Sequence, residues 1–294
     1  MSLPSQVRKY QGKISALRLP AIGKSALLGL TLLFGIAVTM LMLFPVYWMV
    51  ANSFETNRQI FSIPVAVVPT QLTFSSYATV WQTQLTHLVT SLIVALGTAL
   101  VSIVIATPAA YALAHFHLRV TVIIVFVLLL AQMIPTVTLT TPMFLIFNQF
   151  GLINTYPGLI LADSTYAVPF AVLILRAFML SLPFELTEAA FVDGAGEWGA
   201  FLRVMLPLAM PGVVTAGLFA FLFAWGDFIY ALTLTTSNNI EPVSLSIFNY
   251  LGQYNNAWGS AMAVAALASI PAAILLIVFQ RYITTGLTAG ALKG

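Results

Sequence analysis

The sequence is short of charge. Only 6% of its 294 residues are Asp, Glu, Lys or Arg, while 60% are hydrophobic and the mean hydropathy is +1.00. Soluble domains carry about 25% charged residues, so this chain reads as an integral membrane protein. Cysteine is absent, which excludes a disulfide framework, a thiolate metal site and a cysteine nucleophile. Histidine is scarce: His87, His115 and His117 are the only three. His115 and His117 stand two apart, where helical side chains diverge, and no third ligand type is near, so no metal is expected. No Gly-x-Ser-x-Gly elbow and no His-Glu-x-x-His pair occurs. Gly23-Lys24-Ser25 imitates the end of a phosphate loop, but the position of the loop's first glycine is Arg18. The chain is therefore expected to be no enzyme, with no cofactor of its own. A net charge of +3 and a pI near 9.2 do not point to nucleic acid, because the bases form no cluster that could read a groove.

What is present is a series of long apolar runs. Residues 1–24 hold Arg8, Lys9, Lys13, Arg18 and Lys24 and no acid, and read as an inside-facing basic leader. The uncharged run 25–50 reaches about 39 Å as a helix, enough to cross a core of about 30 Å, and is too long for a signal-peptide core. Further spans are expected at about 87–114, 120–147, 158–182, 208–234 and 259–279, with 148–157 a short outer loop. Six spans with an inside N-terminus put ten of the eleven bases at or near the inner face and only Arg58 outside. The fold class is all-α: a polytopic membrane protein of six transmembrane helices, with a domain over 25–283 and a C-terminal tail over 284–294. Residues 51–86 and 235–258 read as outer loops. Pro135 and Pro142 interrupt the third span. A path-lining kink and a plain packing kink are both open for Pro135. Asp227 lies in the outer half of the fifth span, beside Trp225. An intramembrane acid is a functional candidate by default, and an interhelical hydrogen bond is its plain alternative.

The stretch 183–207 stands apart. It holds Glu185, Glu188, Asp193 and Glu197, four of the eight acids in the chain. One carboxylate at mid-bilayer costs about 2.5–3.5 kcal/mol or more, so this is an aqueous island. Pro183 presets the first helical turn and Glu185 and Glu188 suit its positive end. Gly194 and Gly196 should break the helix, Trp198 should open a second short one, and Pro207 should stop that before the next run. Thr187, Ala190 and Gly194 would share a small-residue face, with the acids broadly opposite and Phe184 and Phe191 forming a ridge between. Such a helix could enter a groove on a partner.

Glu188-Ala189-Ala190, Gly194, Val204 and Leu206-Pro207 at this spacing resemble the EAA loop of bacterial ABC importer permeases, with Val204 where the family more often has Ile. Phe191-Val192 stand where members often have a base and Ile, which would exchange a basic contact for an aromatic knob. The likeness continues in Met133-Ile134-Pro135, in Gly151-Leu152-Ile153-Asn154-Thr155, in Trp225-x-Asp227-Phe228 and in the C-terminal Gly286 to Gly294 stretch. These are similar to the carbohydrate-uptake branch, in its maltose-permease type of second subunit. The resemblance implies a type I ABC importer permease fold in a bacterial or archaeal plasma membrane, with both termini cytoplasmic. It implies a second permease, a dimer of a cytoplasmic ATPase that holds ATP and Mg, and an extracytoplasmic binding protein that delivers a sugar. By the same resemblance Glu188, Ala189, Ala190, Phe191, Asp193, Gly194, Leu206 and Pro207 couple to the ATPase, and Gly286, Leu287, Thr288 and Lys293 lie near it. Asn238, Asn239, Tyr250 and Tyr254 would face the binding protein, and Pro135, Trp225 and Asp227 are path candidates. Two rivals remain: the same machine carrying a solute such as a glycerol-phosphate, and an ATP-independent secondary transporter.

Overall fold

A computed structural model of the chain describes residues 24–116, 119–183, 185–252 and 257–291. The leader through Gly23, His117, Phe184, Tyr254 and Lys293 lie outside the described residues. All regular structure among the described residues is helical: α1 (Lys24–Ser53), α2 (Asn57–Ile60), α3 (Ser75–Thr83), α4 (Leu85–His115), α5 (Thr121–Met133), α6 (Thr136–Gln149), α7 (Tyr156–Met179), α8 (Glu185–Val192), α9 (Glu197–Ala200), a π turn (Phe201–Met205), α10 (Leu206–Gly226), α11 (Ile229–Leu234), a 3-10 turn (Asn238–Ile240), α12 (Val243–Gly252) and α13 (Trp258–Ala291). Five helical stretches are long and apolar enough to cross a membrane, and the α5–α6 pair is the sixth if counted as one span. The chain forms two units. Met1–Val50 carries α1 to Val50, where Phe44 packs on Trp48 with ring centroids 5.8 Å apart. Ala51–Gly294 carries the rest.

Three expectations are corrected. The third span is not one kinked helix, because α5 and α6 are bent by 96° at Ile134–Pro135. A residue before proline is pushed out of the α region, and Ile134 is accordingly extended at φ −74°, ψ 121°. Pro142 sits inside α6 without breaking it. Pro207 stops nothing: Glu197–Gly226 is one helical stretch. The π turn before Pro207 widens the helix, which relieves the clash between the proline ring and the carbonyl four residues earlier. The fifth span does not run to 234, for α10 ends at Gly226 and Asp227 is extended at ψ 130°. The loops 51–86 and 235–258 contain helices α2, α3 and α12, and the backbone beyond residue 280 stays helical to Ala291.

The core of the second unit sits where α4, α7 and α10 meet. Ala106, Ala110, Ala171, Ala209 and Ala216 pack there with Leu175, Phe178 and Met205. Small residues let helices approach closely, as they must where lipid removes the hydrophobic drive between them. At Gly212 a Cβ would stand 2.8 Å from the Phe178 ring, so any larger residue would push α7 and α10 apart. Leu92, Leu96, Leu100 and Val104 recur every four residues along α4 and are all exposed, a stripe suited to hydrocarbon. The Trp225 indole N–H donates to the Ala268 carbonyl at 3.0 Å and so ties α10 to α13.

The Gly151 to Thr155 turn has an architectural explanation. Asn154 adopts φ 56°, which Asn tolerates better than other side-chain-bearing residues. Its Oδ1 accepts from the backbone N–H of Thr236 at 2.7 Å and of Ser237 at 3.1 Å, and its backbone N–H donates to the Leu234 carbonyl at 3.0 Å. Thr155 then caps α7 by accepting from the Gly158 N–H at 3.1 Å. One turn thus starts α7 and latches the end of α11.

Candidate functional site

At one end of the spans, between α7 and α10, α8 and α9 form a helix–turn–helix. Gly194 at φ +83° ends α8. Its N–H donates to the Phe191 carbonyl at 3.0 Å and that of Ala195 to the Ala190 carbonyl at 2.9 Å, which is a Schellman closure. A side chain at that φ is strained even though space is open there. Glu185, Glu188, Ala189, Val192 and Asp193 are exposed. The small-residue face does not await a partner: Thr187 and Ala190 are buried against the protein itself. Phe191 is no free knob either, since it is half-buried and meets the His115 ring edge-on at 5.9 Å. What α8 offers outward is carboxylates together with Val192, and Trp198 of α9 is exposed beside it. Leu206 and Pro207 lie in the first turn of α10, continuous with α9.

Nearer the other end lies a cavity of about 180 Å³ lined by Thr136, Asp163, Tyr166, Phe223, Asp227 and Tyr230. Two chain breaks meet here: Thr136 opens α6 after the bend, and Asp227 follows the end of α10. Irregular backbone at membrane depth is tolerated where protein buries it or a watery cavity runs beside it. The Asp227 carboxylate accepts from the backbone N–H of Ala231 at 3.0 Å and of Tyr230 at 3.4 Å, and so holds the start of α11. Of the path candidates, Asp227 lines this cavity. Pro135 makes the bend beside it, and Trp225 is buried in the packing against α13. Sequence reasoning passed over Thr136, Tyr166 and Asp163. A second intramembrane acid was the available signal, but its convergence with Asp227 depends on tertiary packing.

Beyond α11 the chain turns back into a polar cluster. Glu241 is 5% exposed and its carboxylate accepts from the Asn249 amide, while His87 Nδ1 lies 2.8 Å from the Glu241 carbonyl oxygen. Burial raises the Glu241 carboxyl above its ordinary value, against the lowering influence of His87 and the Asn249 hydrogen bond. Tyr250 is buried rather than displayed. Its hydroxyl lies 3.1 Å from Thr83 Oγ1 and accepts from Gln84 Nε2 at 3.2 Å. Asn239 is exposed.

Residues 102–288 match the family described as binding-protein-dependent transport system inner membrane component. The chain is 36% identical to the trehalose transport system permease protein SugB of Mycobacterium tuberculosis, across 86% of this chain and 93% of that protein. It is 31% identical to the trehalose/maltose transport system permease protein MalG of Thermococcus litoralis, across 88% and 94%. A solved bacterial ABC transporter involved in import of the acidic polysaccharide alginate contains a chain of the same fold, with a TM-score of 0.72 at 19% identity, across 96% of this chain and 99% of that one. The kinship spans the α4–α10 core, the α8 turn and the cavity alike, and the chain belongs to the family of binding-protein-dependent transport system inner membrane components.

Proposed function

We propose that this protein is the permease subunit of an ATP-driven sugar importer. It forms a translocation path with a second permease, receives its solute from an extracytoplasmic binding protein, and is driven through α8 by a cytoplasmic ATPase dimer that holds ATP and Mg. The observation that carries this reading is α8: a short helix between spans, closed by Gly194, presenting Glu185, Glu188 and Asp193 to solvent. The bases Arg119, Arg176, Arg203 and Arg281 fall toward the α8 end of the spans, which supports a cytoplasmic placement of that end and of both termini. ATPase closure would then rock two rigid permeases between inward and outward states, with no covalent chemistry in this chain. Sugar as the solute is supported by relatives named for trehalose and for maltose. Two carboxylates on the cavity wall disfavour an anion such as a glycerol-phosphate. Arg176, in the last turn of α7, already donates to the Leu113 carbonyl at 3.2 Å.

Gentle solubilisation of the tagged chain from its native membrane should recover a second permease and an ATPase, whose hydrolysis rises when sugar-loaded binding protein is added. Recovery of the chain alone, still moving solute without ATP, would instead make it a secondary transporter.

A further inference from the structure

Asp163 is the odd group of the cavity lined by Thr136, Tyr166 and Asp227. It is 6% exposed, it lines the cavity, and no donor among the described residues reaches its carboxylate. Asp227 on the same wall is satisfied by the backbone of α11. Tyr230 is likewise engaged, its hydroxyl 3.2 Å from Thr165 Oγ1. Of the two acids, one holds the fold and the other stands open. An unpartnered carboxylate at membrane depth is costly, and such groups mark the route of whatever binds them.

The rest of the wall specifies what that is. Tyr166 and Phe223 meet edge-to-face at 5.0 Å, and Phe170 extends the aromatic surface with its ring 4.9 Å from Phe223. A hydroxyl-accepting carboxylate beside aromatic rings matches a pyranose, which shows hydroxyl donors at its edge and C–H groups on its faces. The cavity, about 180 Å³, is below the ~300 Å³ at which ligand pockets usually begin, a size that suits a single sugar ring better than a whole oligosaccharide. Discontinuous helices bounding a polar site inside the membrane are the usual construction of a transporter's binding site.

We propose that this cavity is a carbohydrate subsite contributed by this subunit, in which the Asp163 carboxylate accepts hydrogen bonds from the hydroxyls of the passing sugar. The proposal rests on the sugar-importer reading above and adds to it the contacting residue.

The test uses the complete importer with its binding protein in proteoliposomes, and ATP-dependent uptake of radiolabelled trehalose, maltose and glucose. For the sugar transported, kcat/KM is compared with that of its monodeoxy analogues in the wild type, Asp163→Asn and Asp163→Ala. Removing the carboxylate should lower kcat/KM about 10- to 100-fold. At least one deoxy position that is costly in the wild type should become nearly neutral in Asp163→Ala, because the missing hydroxyl has lost its acceptor. The binding protein is common to all arms, so its own selectivity cancels. A purely structural role would lower uptake yet leave every deoxy penalty intact, as would a bound cation. That result, or wild-type uptake in Asp163→Ala, overturns the subsite. If the variants do not assemble, carbodiimide labelling of Asp163 in the wild-type importer, read by mass spectrometry, decides the matter. Sugar and binding protein should slow it, and unchanged labelling speaks against contact. Uptake by the wild type that needs neither ATP nor the binding protein defeats the importer reading itself, which separates the two.

Discussion

Carboxylates occupy two kinds of place in this protein, and their surroundings are opposite. Glu185, Glu188 and Asp193 are neighbours in sequence and exposed on or just past α8. Asp163, from within α7, and Asp227, from the break after α10, meet in a cavity walled by aromatic rings. An exposed charge costs almost nothing to keep, since surface pairs are worth about 0–1 kcal/mol, and it can be turned toward a partner freely. A carboxylate at membrane depth costs about 2.5 kcal/mol or more and stays only where it holds the fold or meets cargo. The same functional group therefore reads as a docking surface in one region and as an anchor or solute contact in the other. Perturbing the first should alter coupling with the spans intact, and perturbing the second should alter the spans or their cargo.

The largest separation is expected from Glu188→Lys. Glu188 is exposed and makes no hydrogen bond or ion pair among the described residues, so melting of the spans should not move. Under the proposed docking, the reversal sets like charge against the complementary surface of the ATPase. A cost of several kcal/mol means about 100-fold or more in binding, read as lost stimulation of hydrolysis by sugar-loaded binding protein. Full stimulation in this variant would remove α8 from the coupling route.

Asn154→Ala should behave in the reverse way. It removes the amide's hydrogen bonds to Thr236 and Ser237 and leaves alanine at φ 56°. The expected loss is about 2–4 kcal/mol, seen as hydrogen exchange of α11 and a lower melting temperature, with ATPase binding retained. Asn154→Asp, which keeps Oδ1 as acceptor, should recover part of it. Equal melting of wild type and Asn154→Ala would show that the latch does not hold α11.

How far each region could be read from sequence follows from how it is built. The α8 turn obeys local rules: acids in a first turn, and a glycine where φ must be positive. Its helix and its end were therefore legible, but which face it buries was not. Thr187 and Ala190 turn inward because of α9 and the π turn, and no local rule specifies those neighbours. The spans were legible from hydropathy, whereas the breaks at Pro135 and Asp227 were read as a kink and as continuous helix. Pro207 misled in the opposite sense, because the compensating π turn leaves no mark in composition. Asp163 was visible as an intramembrane acid. Its juxtaposition with Asp227, Thr136 and Tyr166 comes from the packing of α7 against α4 and α10, with α5 and α6 folded back beside it.

Gly194→Ala gives a smaller test of the local rule, since φ +83° in alanine costs about 1–2 kcal/mol and the surrounding space is open. Coupling should weaken, and far less than in Glu188→Lys; a variant with full coupling would mean that α8 tolerates a loosened C-terminus. The smallest effect belongs to Glu241, an acid that is buried like those of the cavity but lies outside the spans. Burial raises its carboxyl above the ordinary value, so the folded state binds the proton more tightly than the unfolded chain does. The stability it lends to the α11–α12 end is complete below about pH 4.5 and is lost as pH rises through the raised value. Hydrogen exchange of the α12 amides, corrected for intrinsic rates, should show protection declining over that window. Glu241→Gln keeps an oxygen to accept from Asn249 and should flatten the decline, while exchange of α8 is the same in both proteins. A slope that survives the substitution would show that Glu241 is not the group responsible.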